Sequence, residues 1–141
     1  MNNRYISKQL RQAVAVRAFR RCEYCTAQSE YAYHTFTVDH IQPLASGGSN
    51  TLDNLAYACR HCNSCKRDQI SHLDPTTGIV ASLFHPRYEL WETHFAWSSD
   101  QTIIVGLTAT GRATVDALQM NRKAAVNMRL LLIRSNLHPP E

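Results

Sequence analysis

Three residues in the first half of the chain have side chains that could bind a metal ion and accept a proton. Asp39 and His40 are adjacent, and Asn63 follows later in the chain. A carboxylate such as Asp39 offers hard oxygen atoms to a divalent cation, and an asparagine carbonyl can join it. Histidine is the side chain best suited to accept a proton from water at neutral pH. The three residues therefore indicate a phosphodiesterase with one catalytic metal ion, with His40 as the general base.

Two basic residues follow Asn63 at helical spacing. Lys66 and Arg67 lie three and four residues beyond it, so a helix would place them on the same face as Asn63. On that face they would hold the phosphates of a nucleic acid. The alternative for Lys66 is an ordinary solvated lysine.

Four cysteines form two C-x-x-C pairs, Cys22 with Cys25 and Cys59 with Cys62. Two such pairs can place four thiolates around one tetrahedral zinc ion. A single pair is also typical of a redox site, but a duplicated pair in a short chain favours structural zinc. The fifth cysteine, Cys65, is expected to be an ordinary thiol. The long insert between the pairs must then be a structured unit whose two ends meet at the metal.

The ordered set of motifs resembles the HNH endonuclease family, in its form with zinc knuckles. The set runs from Cys22-x-x-Cys25 through Asp39-His40 and Asn54 to Cys59-x-x-Cys62-Asn63-x-x-Lys66, over about residues 22–68. The resemblance implies a ββα-metal fold. It also implies that His40 is the general base, that Asp39 and Asn63 hold the catalytic metal, and that Asn54 braces the loop between the strands. Because the third motif letter is Asn63, the chain is predicted to be an H-N-N variant.

The predicted activity is hydrolysis of DNA phosphodiester bonds, by nicking or by double-strand cleavage. The expected cofactors are structural Zn²⁺ and catalytic Mg²⁺ or Mn²⁺, because oxygen ligands suit the last two ions. The expected partner is DNA, without a membrane, and the protein would act as a monomer or homodimer. One alternative is a non-catalytic zinc-ribbon module that binds nucleic acid. The other is a nuclease that acts on RNA.

The bulk composition agrees with one compact domain over residues 1–141. The chain is 44% hydrophobic and carries a formal net charge of +4, which modestly favours a polyanionic partner. The first residues, Met1 to Tyr5, precede no apolar run, so no signal peptide is expected. The protein is therefore expected to be cytoplasmic, where thiols stay reduced.

The predicted fold class is α+β, with the ββα-metal unit flanked by N- and C-terminal helices and a C-terminal β-hairpin. In the hairpin, Phe95, Trp97, Ile103 and Val105 are the expected core residues. In the last helix, Ala125, Met128 and Leu132 supply the expected apolar stripe. Periodicity and turn residues predict helices over 6–20, 62–69, 113–118 and 121–135, and strands over 35–38, 55–58, 94–97 and 102–105. The segment 69–141 is expected to supply further grip on the substrate.

Overall fold

The computed structural model describes residues 5–141, which divide into two compact units. The first unit comprises the chain up to Ile70 together with His85–Glu89, and the second comprises Ser71–Phe84 and Leu90–Glu141. The prediction of a single domain over 1–141 stays a prediction. The expectation that no signal peptide is present concerned Met1 to Tyr5 and the residues that follow; residues 1–4 lie outside the described residues. None of the helices within residues 5–141 is both long and apolar enough to cross a membrane.

The first unit contains the predicted ββα arrangement. Strands β1 (Thr37–His40) and β2 (Leu55–Ala58) are antiparallel, with Asp39 opposite Ala56 and His40 opposite Leu55. Helix α2 (Arg60–Lys66) begins two residues after β2 ends. The order of strand, strand and helix confirms the predicted α+β class, although β1 begins two residues later than expected.

Helix α1 (Lys8–Arg17) covers the strands of this unit. It begins because the Ser7 side chain accepts a hydrogen bond from Leu10 N, which caps the helix N-terminus. Its buried Val14 packs with Ile6 and Leu55 in one apolar cluster. Arg17, in its last turn, donates to the carbonyl oxygens of Leu52 and Leu55, so it ties the helix to the start of β2.

The second unit consists of two hairpins and three helices in the part of the chain that the structure describes. Its elements are β3 (Ser71–Leu73), β4 (Val80–Ser82), α3 (Trp91–His94), β5 (Phe95–Trp97), β6 (Ile104–Gly106), α4 (Ala109–Ala117) and α5 (Lys123–Arg134). The turn between β3 and β4 is held by Asp74, whose carboxylate accepts two hydrogen bonds from Arg112 of α4 at 2.9 Å each. The hairpin β3–β4 was not predicted.

The predicted C-terminal hairpin is present, but one strand presents the opposite face to the core. Phe95 and Ile104 are buried, whereas Val105 is exposed. Side chains alternate along a strand, so taking Ile103 and Val105 as core residues was wrong by one position. Ile104 occupies the core, and Thr102 lies on its side of the strand.

Helix α5 also differs from the predicted apolar stripe. Met128 is 42% exposed, whereas the neighbouring Arg129 is only 6% exposed. The Arg129 guanidinium donates to the carbonyl oxygens of Thr102 and Met120 and lies 5.3 Å from the centre of the Trp97 ring. Satisfied hydrogen bonds and the aromatic ring allow the charged side chain to be buried.

Candidate active site and metal centre

The four predicted cysteine ligands come together in the first unit. Their sulfur atoms lie within 4.8 Å of one another, and all four residues are buried. The Sγ atoms of Cys25 and Cys59, one from each pair, are 3.7 Å apart. Sulfur atoms about 2.3 Å from a tetrahedral zinc ion are separated by about 3.8 Å. The donor set and the spacing therefore fit a zinc ion.

Hydrogen bonds within the cluster contact its sulfur atoms and affect the pKa values of the thiols. In each pair the backbone N–H of the second cysteine points at the sulfur of the first, at 3.5 Å for Cys25 and 3.3 Å for Cys62. Hydrogen bonds from the neighbouring thiols lower the pKa of Cys59 far below its ordinary value, whereas burial raises the pKa of Cys22 and hydrogen bonds from the same neighbours raise that of Cys62. Without a metal ion the four thiols therefore do not all ionise readily, and binding of a metal to the thiolates would release protons. Cys65 lies outside the cluster, with its Sγ 3.4 Å from His61 Nε2.

A cleft of about 420 Å³ beside the ββα unit contains the residues predicted to do chemistry. Asp39 and His40 enter it from β1, and Asn63 enters it from α2. Arg67, predicted to hold phosphate, lines the same cleft and is exposed. The loop after β1 and the end of α2 complete the wall: Pro43, Leu44, Ser64 and Asp68.

The ring of His40 is held by a residue that the sequence did not single out. Nε2 of His40 lies 2.6 Å from Oδ1 of Asn50. The Asn50 amide nitrogen points to the Tyr5 carbonyl at 3.4 Å, which turns its oxygen toward His40. An amide oxygen only accepts hydrogen bonds, so Nε2 is the donor, and in the neutral ring the lone pair lies on Nδ1. Asn50 was expected only as part of a loop.

The carboxylate of Asp39 is held from two sides. The Tyr24 hydroxyl donates to Oδ2 at 2.7 Å, and Lys66 Nζ lies 3.2 Å from the same oxygen. Burial raises the pKa of Asp39, and the charge of Lys66 and the hydrogen bond from Tyr24 oppose that rise. Each carboxylate oxygen has two lone pairs, so these partners leave Asp39 able to accept a further contact from the cleft.

Lys66 requires a correction. It is 1% exposed, and its ammonium group contacts Asp39 and the carbonyl oxygens of His40 and Ile41, at 3.2 and 3.1 Å. A group surrounded in this way does not reach a phosphate on the surface. Lys66 lies four residues after the buried Cys62 and shares its inward face of α2, whereas Asn63 and Arg67 face the cleft.

The Asn54 side chain joins the two ends of the loop between the strands. It accepts a hydrogen bond from Gln42 N at 2.8 Å and donates to the carbonyl oxygens of Gln42 and Ser49, each at 2.9 Å. At Gly48 the loop passes so close to the backbone of Gln42 that a Cβ atom on Gly48 would lie 1.8 Å from the Gln42 carbonyl oxygen. Only glycine fits at this position.

Several other candidate residues lie outside the cleft. Tyr33 and His34, which were weighed as lining residues, are exposed beside the N-terminus of α2, where Arg60 contacts His34. Among the basic residues considered for substrate grip, Arg87 pairs with Glu23 and Arg112 pairs with Asp74. Tyr24 was not predicted as a site residue although it lies between Cys22 and Cys25, and only the folded chain brings it to Asp39.

The comparisons with known proteins agree with the site. Residues 22–69 match the family model described as HNH endonuclease. The recognition made from the motifs is confirmed for this segment, which is about a third of the chain. The H-N-N variant stays a prediction. Searches of the curated proteins and of the solved structures found no match to the chain.

Proposed function

We propose that the protein is a metal-dependent endonuclease that hydrolyses phosphodiester bonds in DNA. The observation that carries this proposal is the cleft, which gathers Asp39, His40, Asn63 and Arg67 from separate parts of the chain beside the four-cysteine cluster. The match of residues 22–69 to the HNH endonuclease family supports nuclease chemistry at this place. The positive net charge of +4 suits a polyanionic substrate.

In this proposal His40 is the general base. Its Nδ1 atom carries the lone pair, because Nε2 is engaged with Asn50. Nδ1 accepts a proton from the water that attacks phosphorus, while Asn50 keeps the ring orientation fixed. The bond from phosphorus to the 3′-oxygen breaks, the 3′-oxygen takes a proton from solvent, and the products carry a 5′-phosphate and a 3′-hydroxyl. Arg67 binds a phosphate oxygen in the cleft. Asn54 keeps the loop, and with it the position of His40, in place through its hydrogen bonds to Gln42 and Ser49.

Asp39 and Asn63 are the proposed ligands of a catalytic cation. Both line the cleft, and both present oxygen atoms, which fit Mg²⁺ or Mn²⁺ better than softer metals. When bound, the cation would offset the negative charge that develops on the phosphate oxygens. Replacing Asn63 by His would present a nitrogen atom instead, so Asn63→His should shift the metal preference toward nickel or cobalt. The zinc ion is proposed to be structural, on Cys22, Cys25, Cys59 and Cys62.

A chain of this size with one such cleft would cut one strand at a time. A monomer should therefore nick DNA, and double-strand cleavage would require a homodimer or two binding events. The alternative function is a non-catalytic zinc-ribbon module that binds nucleic acid. That module would need the cysteines and the basic residues but not the grouping of His40 with Asp39 and Asn63.

The test is a plasmid-nicking assay with and without magnesium. The wild type should nick only with magnesium, and His40→Ala should lose about 10²–10⁴-fold in rate while it still binds DNA. The matched control is His72→Ala, a histidine of the second unit, which should nick as the wild type does. Full activity of His40→Ala would remove His40 as the base, and an inactive wild type that binds DNA would favour the zinc-ribbon module. Competition with a matched RNA would identify the preferred nucleic acid.

A further inference from the structure

Tyr33 is an aromatic side chain left open to solvent beside the ββα unit. It is 99% exposed, although its ring rests edge-on against His34, with the ring centres 5.9 Å apart. Because the side chain is almost wholly exposed, a face of the Tyr33 ring is open to a planar ligand.

His34 connects Tyr33 to the helix that carries part of the cleft. Nδ1 of His34 lies 3.1 Å from an Arg60 guanidinium nitrogen, and Arg60 is the first residue of α2. Arg60 lies three and four residues before Asn63 and Ser64, so it shares their face of the helix. Asn63, Ser64 and Arg67 all line the cleft. One exposed strip therefore leads from the cleft along α2 to Tyr33.

We propose that Tyr33, His34 and Arg60 form a subsite for an unpaired nucleotide of the DNA strand that is cleaved. This inference rests on the proposed function and deepens it. The Tyr33 face stacks on the base, and the Arg60 guanidinium binds the adjoining phosphate, as in sites that hold single strands. Arg60 and Ser64 are about 6 Å apart along the helix. That distance is about two nucleotides of a stacked strand, so the subsite lies close to the cleft.

The requirement for an unpaired base follows from the geometry of stacking. In a duplex both faces of each base are covered by neighbouring pairs, so a base must leave the stack to meet the Tyr33 ring. The exposed strip along α2, with Arg60 and Arg67, binds the phosphate backbone of both single-stranded and duplex DNA. The substrate is therefore a DNA strand that is single-stranded, frayed or opened beside the cleavage site.

The first experiment measures DNA binding by full-length zinc-loaded protein in the His40→Ala background, where the substrate is not consumed. Tyr33→Ala should weaken binding of a labelled single-stranded oligonucleotide about fivefold or more, and it should leave binding of the matched duplex unchanged. Tyr33→Phe keeps the ring and should bind as the parent does. The control is Tyr88→Ala: Tyr88 is a second exposed tyrosine of the same unit beside a histidine, and its ring is already stacked on His85. Equal binding by Tyr33→Ala and the parent would overturn the proposal.

A second experiment locates the stacked nucleotide. Abasic nucleotides are placed one at a time along the oligonucleotide, and one position should lower the affinity of the parent but not that of Tyr33→Ala. Arg60→Gln should reduce the slope of log K against log salt by about 0.7, the value for one phosphate of a single strand. The same abasic loss in both proteins, or an unchanged slope, would contradict the subsite. Plasmid nicking by the wild type is measured separately. Refutation of the Tyr33 subsite is therefore distinguishable from refutation of the nuclease activity.

Discussion

Replacing Tyr24 by Phe removes one hydroxyl group from the link between the zinc knuckle and the cleft. Tyr24 lies between Cys22 and Cys25, is fully buried, and donates to Asp39 Oδ2 at 2.7 Å. Burial, followed by the nearby charge of Asp39, raises the pKa of Tyr24 well above its ordinary value. The hydroxyl therefore keeps its proton across the neutral range and remains a donor. Phenylalanine keeps the ring and its packing, so Tyr24→Phe isolates the hydrogen bond.

The expected size follows from burial and charge. A hydrogen bond to a charged group contributes about 1.5–3 kcal/mol, and a buried carboxylate that loses such a partner does not regain it from water. The free energy of unfolding of the zinc-loaded protein should fall by that amount. If Asp39 holds the catalytic cation, loss of this partner should also weaken cation binding, since such supporting contacts typically contribute about 10–100-fold to metal affinity or activity.

Two measurements check the Tyr24→Phe prediction. Denaturant unfolding gives the loss of stability, and nicking rates over a magnesium titration give the concentration for half-maximal activity. That concentration should rise about 10–100-fold, while zinc content stays at one per chain. The control is Tyr88→Phe, which removes the hydroxyl of an exposed side chain. Unchanged stability together with an unchanged magnesium requirement would refute a supporting role for Tyr24.

Three further predictions follow from the remaining contacts. Lys66→Met should lower the free energy of unfolding by about 3–5 kcal/mol, because it leaves the Asp39 charge without its buried partner. Arg67→Gln should instead keep the stability of the protein and reduce the salt slope of DNA binding by about one. If Lys66→Met instead kept its stability in denaturant unfolding and reduced the salt slope of DNA binding, Lys66 would be a phosphate contact. Cys62→Ser should lose zinc by elemental analysis, whereas Cys65→Ser should keep one zinc per chain, and equal zinc content in both would contradict the ligand set. Arg112 hydrogen bonds hold the pKa of Asp74 well below its usual range, so this contact adds stability above the ordinary aspartate pKa near 4 and loses it as the pH falls further. Unfolding measured from neutral to acid pH should show a smaller acid loss in Asp74→Asn, and identical acid profiles would count against the pair.

The parts of the site that could be predicted from sequence are those fixed by short spacings. A C-x-x-C pair places two sulfur atoms at one turn of backbone, so the ligands of the metal cluster could be identified before the fold was known. Asp39 and His40 are adjacent, and both enter the cleft from the end of β1. The second strand was placed correctly because Leu55–Ala58 is bounded by a turn and a cysteine pair.

The parts that could not be predicted depend on contacts between distant segments. Asn50 reaches His40 only after the loop is folded over, and a polar loop residue gives no sign of such a partner. For Lys66 the sequence did contain a signal. A helix that turns Cys62 toward a buried metal also turns inward the residue four positions later, so Lys66 and Arg67 could not both face the cleft. Spacing relative to Cys62, rather than to Asn63, would have identified Lys66 as buried.

The two zinc knuckles do more than close the ββα unit. One partner of the Asp39 carboxylate, Tyr24, lies inside the first knuckle, and the other, Lys66, lies one helical turn after the second. Asp39 is therefore positioned by two segments that are themselves brought together at the cysteine cluster. His40 is held differently, because Asn50 orients its ring and Asn54 fixes the loop through backbone hydrogen bonds. The cysteine cluster thus positions the proposed cation ligand, while the proposed base depends on the loop. Damage to the cluster should therefore impair cation binding, and damage to the loop should impair proton transfer.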